Sequence, residues 1–222
     1  MINLQITTDQ KKQFEKDGYL ILSKFLDIDK IDKLANKFKD LFAGSFETGI
    51  EPDEWNWREG RDSNDITRQI CNGWKSDNDI KNLVTHELLG KACAQLMEWT
   101  GSRLLQDNVL WKPPGGKTLA YHQDAAYDDW IIPQTMMTCW MPLDSVSQEK
   151  GTLEYVRGSH LWGLTPPRGQ FHSPDDYKKE LQAFIGELFT LVEEKDIYKI
   201  YDVLGNEYKA KLNKDSDLNG TT

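Results

Sequence analysis

The chain is poor in the residues that build disulfide frameworks, membrane spans and secretion signals. Its three cysteines, Cys71, Cys93 and Cys139, are an odd number without metal-site spacing, which favours buried free thiols in a reducing cytoplasm over disulfides. No apolar run approaches the length of a membrane-spanning helix. Residues 1–6 lack the basic stretch and apolar core of a signal peptide. We therefore expect a cytoplasmic protein without a membrane partner.

The chain also has no excess of positive charge. The 27 lysines and arginines are outnumbered by 36 acidic residues, for a net charge of -9, so the phosphates of nucleic acid would be repelled. No Ser-His-Asp order, phosphate-binding glycine loop or Cys-His pair indicates another catalytic arrangement. A chain of 222 residues is long enough for a soluble domain with a packed core. The expected partner is a small-molecule substrate, and the oligomeric state stays open.

The first hundred residues have mainly helical patterns. The first predicted helix rests on Thr7 and Gln10, which have capping-box spacing, and on Gly18, which suits a helix C-terminus. Residues 19–22 are predicted as a strand and residues 45–79 as irregular. Capping residues and apolar spacings of three and four predict helices in three places: between Thr7 and Gly18, from Asp27 or Asp29 to Gly44, and from Asn78 to Trp99.

From Arg103 onward the pattern changes to strands joined by turns. The composition of residues 113–116, Pro-Pro-Gly-Gly, predicts a turn. Short strands closely spaced by turns are typical of a sandwich or barrel. The predicted strands cover residues 104–112, 118–123, 136–141 and 152–157.

The most informative motif is His122-Gln123-Asp124. Side chains alternate along a strand, so His122 and Asp124 should point to the same face. One imidazole nitrogen and one carboxylate oxygen suit a divalent first-row metal, and they are two thirds of the 2-His-1-carboxylate triad of non-haem Fe(II) enzymes. The alternative is a surface histidine that happens to lie near an aspartate.

Further motifs surround this one over the first three quarters of the chain: Phe14–Leu22, Lys112–Gly116, Thr138–Asp144 and Gly151–Gly163. In residues and order, the set resembles the phytanoyl-CoA dioxygenase family of Fe(II)/2-oxoglutarate-dependent oxygenases. The resemblance implies an α+β, mainly β fold, a double-stranded β-helix (jelly roll) with N-terminal helices. It also implies Fe(II), 2-oxoglutarate as cosubstrate and O2, which together hydroxylate an unactivated carbon of a small molecule.

Under this resemblance the chain is a single dioxygenase-like domain over residues 1–222. Residues 1–100 form its mainly helical part, residues 101–187 its jelly-roll strands and loops, and residues 188–222 a divergent tail. Apolar positions in the tail recur at three and four, which predicts a helix over residues 188–212 that packs outside the jelly roll.

The resemblance also implies roles for individual residues. His122 and Asp124 would be iron ligands and carry the catalysis. Trp140 matches a position near the 2-oxoglutarate pocket, with an ordinary core tryptophan as the alternative. Asn108 and Lys112 share one face of their predicted strand and could reach the cosubstrate or the substrate, with a solvated lysine before a turn as the alternative. Gln123 is also assigned to cofactor binding; it lies on the opposite strand face and would support the site or pack. Other candidate contacts, to substrate or to its acidic groups, are Tyr127, Trp130, Arg157 and Arg168.

The family pattern is incomplete in this chain. The third ligand is normally a later histidine, followed by an arginine that binds the far carboxylate of 2-oxoglutarate. After Asp124 the only histidines are His160 and His172, and no arginine follows Arg168, which predicts weak 2-oxoglutarate binding. Either the end of the chain is shortened or altered, or His172 (less favourably His160) is the third ligand, or two protein ligands hold the metal.

The incomplete pattern leaves other functions open. One is a catalytically defective or truncated jelly-roll protein that binds a ligand or partner without turnover. Another is a cupin-type metal protein with different chemistry. Iron content and succinate release distinguish these alternatives from an active oxygenase.

Overall fold

The computed structural model describes residues 4–23, 25–116, 119 and 121–164. Three predictions fall outside these residues: His172 as the third metal ligand, Arg168 as a cation for an acidic substrate group, and the helix over residues 188–212. In the described chain the elements are α1 (Thr8–Asp17), α2 (Ile28–Phe42), β1 (Glu54–Trp55), β2 (Arg68–Cys71), α3 (Asn78–Val84), α4 (Glu87–Met97) and β3 (Asn108–Trp111). Short 3-10 turns cover Gly73–Lys75, Asp124–Ala126, Gln148–Lys150 and Ser159–Leu161.

Helix α1 begins and ends where the sequence predicts. The Gln10 N–H donates to Thr7 Oγ1 at 3.2 Å, and the Thr7 N–H donates to Gln10 Oε1 at 2.9 Å, the reciprocal bonds of a capping box. At the other end, Gly18 has a φ of +81° and its N–H donates to the Phe14 carbonyl at 2.8 Å. This left-handed backbone favours glycine. Both ends of the predicted helix are confirmed.

Helix α2 is amphipathic and supplies much of the core. It buries Leu34, Leu41 and Phe42, which recur at the spacing that predicted the helix. Ile28, the first apolar residue of the stripe, is exposed instead. The helix ends before Gly44, whose φ is +86°, as predicted.

The single helix predicted from Asn78 to Trp99 is wrong, because the chain breaks at Thr85 and His86 between α3 and α4. His86 has extended backbone (φ -66°, ψ 129°), and its Nδ1 accepts the N–H of Leu88 at 3.2 Å. A side chain that caps a new helix competes with continuation of the old one. The spacing of the apolar residues gives no sign of this break.

Strands β1, β2 and β3 form an antiparallel sheet with β2 in the centre. Ile70 of β2 lies opposite Trp55 on one side and Val109 on the other. Two of these strands lie within residues 45–79, so the prediction of irregular structure there is wrong. Strands of two and four residues are too short to show an alternating pattern. Strand β3 (Asn108–Trp111) is shorter than the strand predicted over residues 104–112.

Several other predicted strands are also wrong within the described chain. Residues 19–22, 136–141 and 152–157 belong to no strand, and of the described residues 119 and 121–123 only Leu119 makes an isolated bridge. A strand is stable only where a neighbour pairs its N–H and C=O groups, and no described segment provides that ladder here. The turn at residues 113–116 is confirmed by the Gly116 N–H, which donates to the Pro113 carbonyl at 2.9 Å. Within the described residues, the structure contains helices and a small antiparallel sheet.

The core lies between helices α2 and α3 and the sheet. Leu34, Leu41 and Phe42 pack with Ile70, Ile80 and Val109. The exposed fraction of Ile70 is 0% and that of Phe42 is 1%. Burial of each large apolar side chain contributes about 1.5–3 kcal/mol to the free energy of unfolding.

The chain divides into two compact units. The first unit takes its described residues from 1–11, 21–118 and 136–153, and contains the sheet, α2, α3, α4 and the core. The second takes its described residues from 12–20, 119–135 and 154–164, and contains the His-Gln-Asp motif. In the described chain, no helix has the length and apolar character needed to cross a bilayer.

Candidate metal site

The motif His122-Gln123-Asp124 lies where an extended stretch turns into a 3-10 turn. Gln123 has extended backbone (φ -114°, ψ 117°), and Asp124 begins the turn that ends at Ala126. His122 Nε2 lies 3.0 Å from Asp124 Oδ1. The side chains are 26% and 44% exposed, so both donors are close together and reachable from solvent.

The distance of 3.0 Å between these two atoms fits ligands of one metal ion. Donors about 2.1 Å from a first-row metal and at right angles to each other are separated by about 3.0 Å. An imidazole nitrogen and a carboxylate oxygen are suitable donors for Fe(II). The same distance also suits an N–H···O hydrogen bond, so the His122–Asp124 pair is stable without a metal.

No third donor joins His122 and Asp124 among the residues that the structure describes. The described residues contain one cluster of three His, Cys, Asp or Glu side chains that could hold a metal ion, formed by Glu47, Asp77 and Asp79. The ammonium of Lys37 lies 2.9 Å from Glu47, 2.9 Å from Asp77 and 2.5 Å from Asp79. Lys37 therefore occupies the position that a metal would take in that cluster. Its hydrogen bond lowers the pKa of Glu47 to about 2.

The stretch that carries the motif is held by a segment further along the chain, residues 154–163, here called the bridging segment. The Tyr121 hydroxyl donates to Glu154 Oε2 at 2.6 Å. The Gln123 amide donates to the Gly163 carbonyl at 3.0 Å. Tyr121 and Gln123 flank His122 in the sequence, so the side chains on both sides of this histidine are anchored to the bridging segment.

The bridging segment also contacts the end of helix α1. The Gly158 N–H donates to the Asp17 carbonyl at 2.9 Å. His160 Nε2 lies 3.0 Å from the Glu15 carbonyl, and the other ring nitrogen of His160 lies against Gly18. Both nitrogens of this imidazole thus face α1. The alternative of His160 as third ligand finds no support in these contacts.

Arg157, a candidate for binding an acidic substrate group, faces a carboxylate of the protein. Its Nε lies 3.7 Å from Oδ1 of the buried Asp17. A hydrogen bond with Tyr19 and the charge of Asp17 raise the pKa of Arg157. Tyr19 in turn stacks on Tyr155 with ring centroids 5.5 Å apart. The arginine therefore holds the bridging segment to the residues that end α1.

The loop after the motif presents aromatic side chains. Tyr127 meets the His122 ring edge to face, with centroids 6.1 Å apart. Trp130 is 63% exposed. The Gln134 amide donates to the Ala125 carbonyl at 3.1 Å, which closes the loop back on the 3-10 turn. An apolar surface thus lies a few residues after the two donors.

Three residues predicted to bind the cofactor belong to the first unit and have contacts of their own. Asn108 Oδ1 accepts from the Gln69 amide at 2.9 Å, across strands β2 and β3. Lys112 Nζ lies 3.4 Å from the Gly151 carbonyl. Trp140 is exposed. Of the predicted site residues, the structure brings His122 and Asp124 into direct contact.

Sequence reasoning missed the residues that hold the motif in place. Tyr121 and Gln123 are two positions apart, so the alternation of side chains along a strand predicts that they share a face. Their partners Glu154 and Gly163 are 33 and 40 positions away. A partner at that distance leaves no local pattern in the sequence.

Comparison with known proteins gives relatives that are dioxygenases by name. The 2-aminoethylphosphonate dioxygenase of uncultured bacterium HF130_AEPn_1 is 26% identical over 155 residues, 68% of this chain and 57% of that protein. The "Probable alpha-ketoglutarate-dependent hypophosphite dioxygenase" of Stutzerimonas stutzeri is 24% identical over 195 residues, 82% of this chain and 66% of that protein. This chain therefore spans 57% and 66% of the lengths of these two relatives.

A third relative has the family name itself. Phytanoyl-CoA dioxygenase domain-containing protein 1 of Danio rerio is 22% identical over 221 residues, 80% of this chain and 75% of that protein. No solved structure matches the chain. The sequence profile of phytanoyl-CoA dioxygenase (PhyH) matches residues 14–208, a range that includes the His-Gln-Asp motif, the aromatic loop and the bridging segment. The chain belongs to the phytanoyl-CoA dioxygenase family.

Proposed function

We propose that this chain is an Fe(II)- and 2-oxoglutarate-dependent oxygenase with a jelly-roll fold, which hydroxylates a small molecule at an unactivated carbon. The observation that carries the proposal is the 3.0 Å approach of His122 Nε2 to Asp124 Oδ1. The pair lies inside the range matched by the family profile. Family membership supports the reaction class, and the contact between the two donors supports the site.

Two described residues would hold the iron. His122 would donate the lone pair of Nε2, and the carboxylate of Asp124 would supply a negative charge that offsets part of the charge of the ion. His172 is the proposed source of the second imidazole. When bound, Fe(II) with 2-oxoglutarate and O2 supplies the oxidising chemistry, in which 2-oxoglutarate is converted to succinate and CO2 as the substrate is hydroxylated.

The other residues of the second unit would fix and shield these ligands. The bonds of Tyr121 to Glu154 and of Gln123 to Gly163 restrain the backbone around His122, which lowers the cost of placing the ligands when metal binds. The ring of Tyr127 covers one side of the imidazole. Partial exclusion of water protects a reactive centre from side reactions.

Tyr127 and Trp130 are proposed to contact the substrate, because they combine exposure with proximity in sequence to the ligands. Asn108, Lys112 and Trp140 remain sequence-based candidates for binding 2-oxoglutarate, each to be tested singly by substitution. The first substrates to test come from the name of a relative, 2-aminoethylphosphonate, and from the family name, an acyl-CoA ester.

The test is succinate release. Protein purified without air, then given Fe(II), labelled 2-oxoglutarate, O2 and each substrate in turn, is expected to release succinate in proportion to hydroxylated product. His122→Ala and Asp124→Ala should lose this activity. The control Asp129→Asn changes an exposed aspartate of the same loop and should keep it. Hydroxylation that persists in Asp124→Ala would contradict the proposal.

A second candidate function is ligand binding without turnover. The observation in its favour is that the 3.0 Å approach of His122 Nε2 to Asp124 Oδ1 also suits a hydrogen bond, which needs no metal. A protein of this kind would bind a test substrate in calorimetry yet release no succinate with any of them. Substrate-dependent succinate release excludes it.

A further inference from the structure

Two cysteine side chains from distant parts of the chain meet in the first unit. Cys93 Sγ, on helix α4, lies 3.4 Å from Cys139 Sγ. Cys139 immediately precedes Trp140 and is exposed, whereas Cys93 is half-buried. All three cysteines are free thiols, but only Cys71 is buried as the sequence predicted.

The sulfur atoms of Cys93 and Cys139 are in van der Waals contact, 3.4 Å apart. A disulfide places its sulfur atoms about 2.05 Å apart, so the two sulfurs must approach each other by about 1.4 Å to form one. The third cysteine differs. Cys71 Sγ lies 3.6 Å from Gln106 Oε1 and is buried in β2. Cys93 and Cys139 are therefore distinguished from Cys71 by their proximity to each other and by their greater solvent exposure.

The two thiols differ in acidity because they share a hydrogen bond. The bond from Cys139 lowers the pKa of Cys93 to about 7, and the same bond raises the pKa of Cys139. A thiolate, not a thiol, attacks an oxidant. The shared hydrogen bond favours the thiolate at one of the two sulfurs, and we assign the attacking role to Cys93 and the following role to Cys139.

We propose that Cys93 and Cys139 are an oxidant-responsive site that forms a reversible disulfide when the protein meets a peroxide. In the first step the Cys93 thiolate attacks one oxygen of hydrogen peroxide, the O–O bond breaks, and Cys93 becomes a sulfenic acid. The hydroxide released takes the proton of Cys139 and leaves as water. The Cys139 thiolate then attacks the Cys93 sulfur and the S–O bond breaks. The second hydroxide leaves as water after it takes up the proton that Cys93 had lost to solvent on forming its thiolate. Two thiols and one peroxide give one disulfide and two waters.

The disulfide would connect helix α4 to the segment that carries Trp140. It also closes a loop between positions 46 apart, and the sequence inside this loop includes His122 and Asp124. Closing a loop of this length restricts the unfolded chain more than the folded one, so the midpoint of thermal unfolding should rise by roughly 10 °C on oxidation. A thiol reductant should reverse the shift. This inference does not depend on the proposed oxygenase activity.

The test uses the whole reduced protein and hydrogen peroxide in small excess. After free thiols are blocked with N-ethylmaleimide, tryptic digestion without reductant should yield the peptides 92–103 and 118–150 joined together. Free thiols should fall from three to one, with a loss of two hydrogen atoms in the intact mass, and the reductant should restore them. The thermal shift should accompany the joined peptides.

Three variants make the assignment specific. Cys93→Ser and Cys139→Ser should each prevent the joined peptide and the thermal shift. Cys71→Ala is the matched control and should retain both; if it folds poorly, the peptide 69–75 of the oxidised wild-type protein should still contain a blocked thiol. Three free thiols after oxidation, a disulfide that includes Cys71, or disulfides only between chains would overturn the proposal.

Discussion

The imidazole of His160 lies directly against the backbone of Gly18. A Cβ atom on Gly18 would collide with His160 Nδ1, and Nε2 of the same ring lies 3.0 Å from the Glu15 carbonyl. The glycine that ends α1 therefore has two functions. Its positive φ stops the helix, and its lack of a side chain makes room for the bridging segment that holds the His-Gln-Asp motif.

Replacement of Gly18 by alanine should destabilise the protein through both functions. A positive φ costs a non-glycine residue about 1–2 kcal/mol, and displacement of His160 should bring the total loss to about 3 kcal/mol. Urea unfolding measures this loss. Gly60→Ala is the control, since its φ is +76° but nothing lies within 4 Å of the added carbon. In a His160→Ala background the excess loss at Gly18 should disappear; equal losses at Gly18 and Gly60 in the wild-type background would refute the contact.

Ile70 should be among the most sensitive core positions. Its side chain is 0% exposed at the centre of the sheet, so Ile70→Ala should lower the free energy of unfolding by about 2–5 kcal/mol. Ile21→Ala removes the same atoms from an exposed position and should change it by less than about 0.5 kcal/mol. Denaturant midpoints that fall equally in the two variants would show that the core is placed wrongly.

Asp77 has two separable roles at the start of α3. Its Oδ1 accepts the N–H groups of Asp79 and Ile80 at 2.8 and 3.0 Å, and its Oδ2 contacts Lys37. Asp77→Ala removes both roles and should cost about 2 kcal/mol or more. Asp77→Asn keeps an oxygen for the cap and should cost clearly less. Chemical unfolding of the two variants separates the contributions, and an asparagine variant as unstable as the alanine variant would show that the cap contributes little.

The ion pair of Glu47 with Lys37 predicts a pH dependence of stability. The hydrogen bond from Lys37 lowers the pKa of Glu47 from 4.5 to about 2 in the folded protein. A carboxylate with a lowered folded-state pKa stabilises the protein above its unfolded pKa and loses this contribution as pH falls toward 2. Glu47→Gln should therefore reduce stability at pH 7, and the difference from wild type should shrink between about pH 4.5 and 2.

The control for this pH series is Glu51→Gln, which neutralises another exposed glutamate nearby in sequence. Thermal midpoints of the wild type and both variants across pH 2 to 7 are the measurement. We expect the wild-type and Glu47→Gln curves to converge in acid, with Glu51→Gln close to wild type at neutral pH. A gap that widens in acid would contradict the ion pair.

Local patterns predicted the parts of this protein whose partners are near in sequence. Thr7, Gln10 and Gly18 lie within the helix that they begin and end, so capping chemistry was sufficient to predict α1. The proximity of His122 to Asp124 was predicted from their spacing of two residues, although Asp124 begins a 3-10 turn and does not continue a strand. The break at His86 was missed because its cap bond to Leu88 does not alter the apolar period. Strand β1 was missed because two residues cannot alternate.

Contacts between residues that are far apart in the sequence could not be predicted from local patterns. A side-chain hydrogen bond from Gln69 of β2 to Asn108 of β3 joins residues 39 positions apart, and Tyr121 pairs with Glu154 across 33 positions. The predicted strands over residues 136–141 and 152–157 have suitable compositions, but a strand also needs a neighbour whose identity no local pattern contains.

Anaerobic Fe(II) binding tests the central claim, that His122 and Asp124 hold the metal. Titration of wild-type protein in the absence of O2 should show saturable binding at one site. Asp124→Ala removes the only anionic ligand proposed among the described residues and should abolish that binding, while Asp129→Ala, a change of an exposed aspartate five positions away, should bind iron as wild type does. Thermal unfolding should show that both variants are folded. Unchanged iron stoichiometry and affinity in Asp124→Ala would contradict the account.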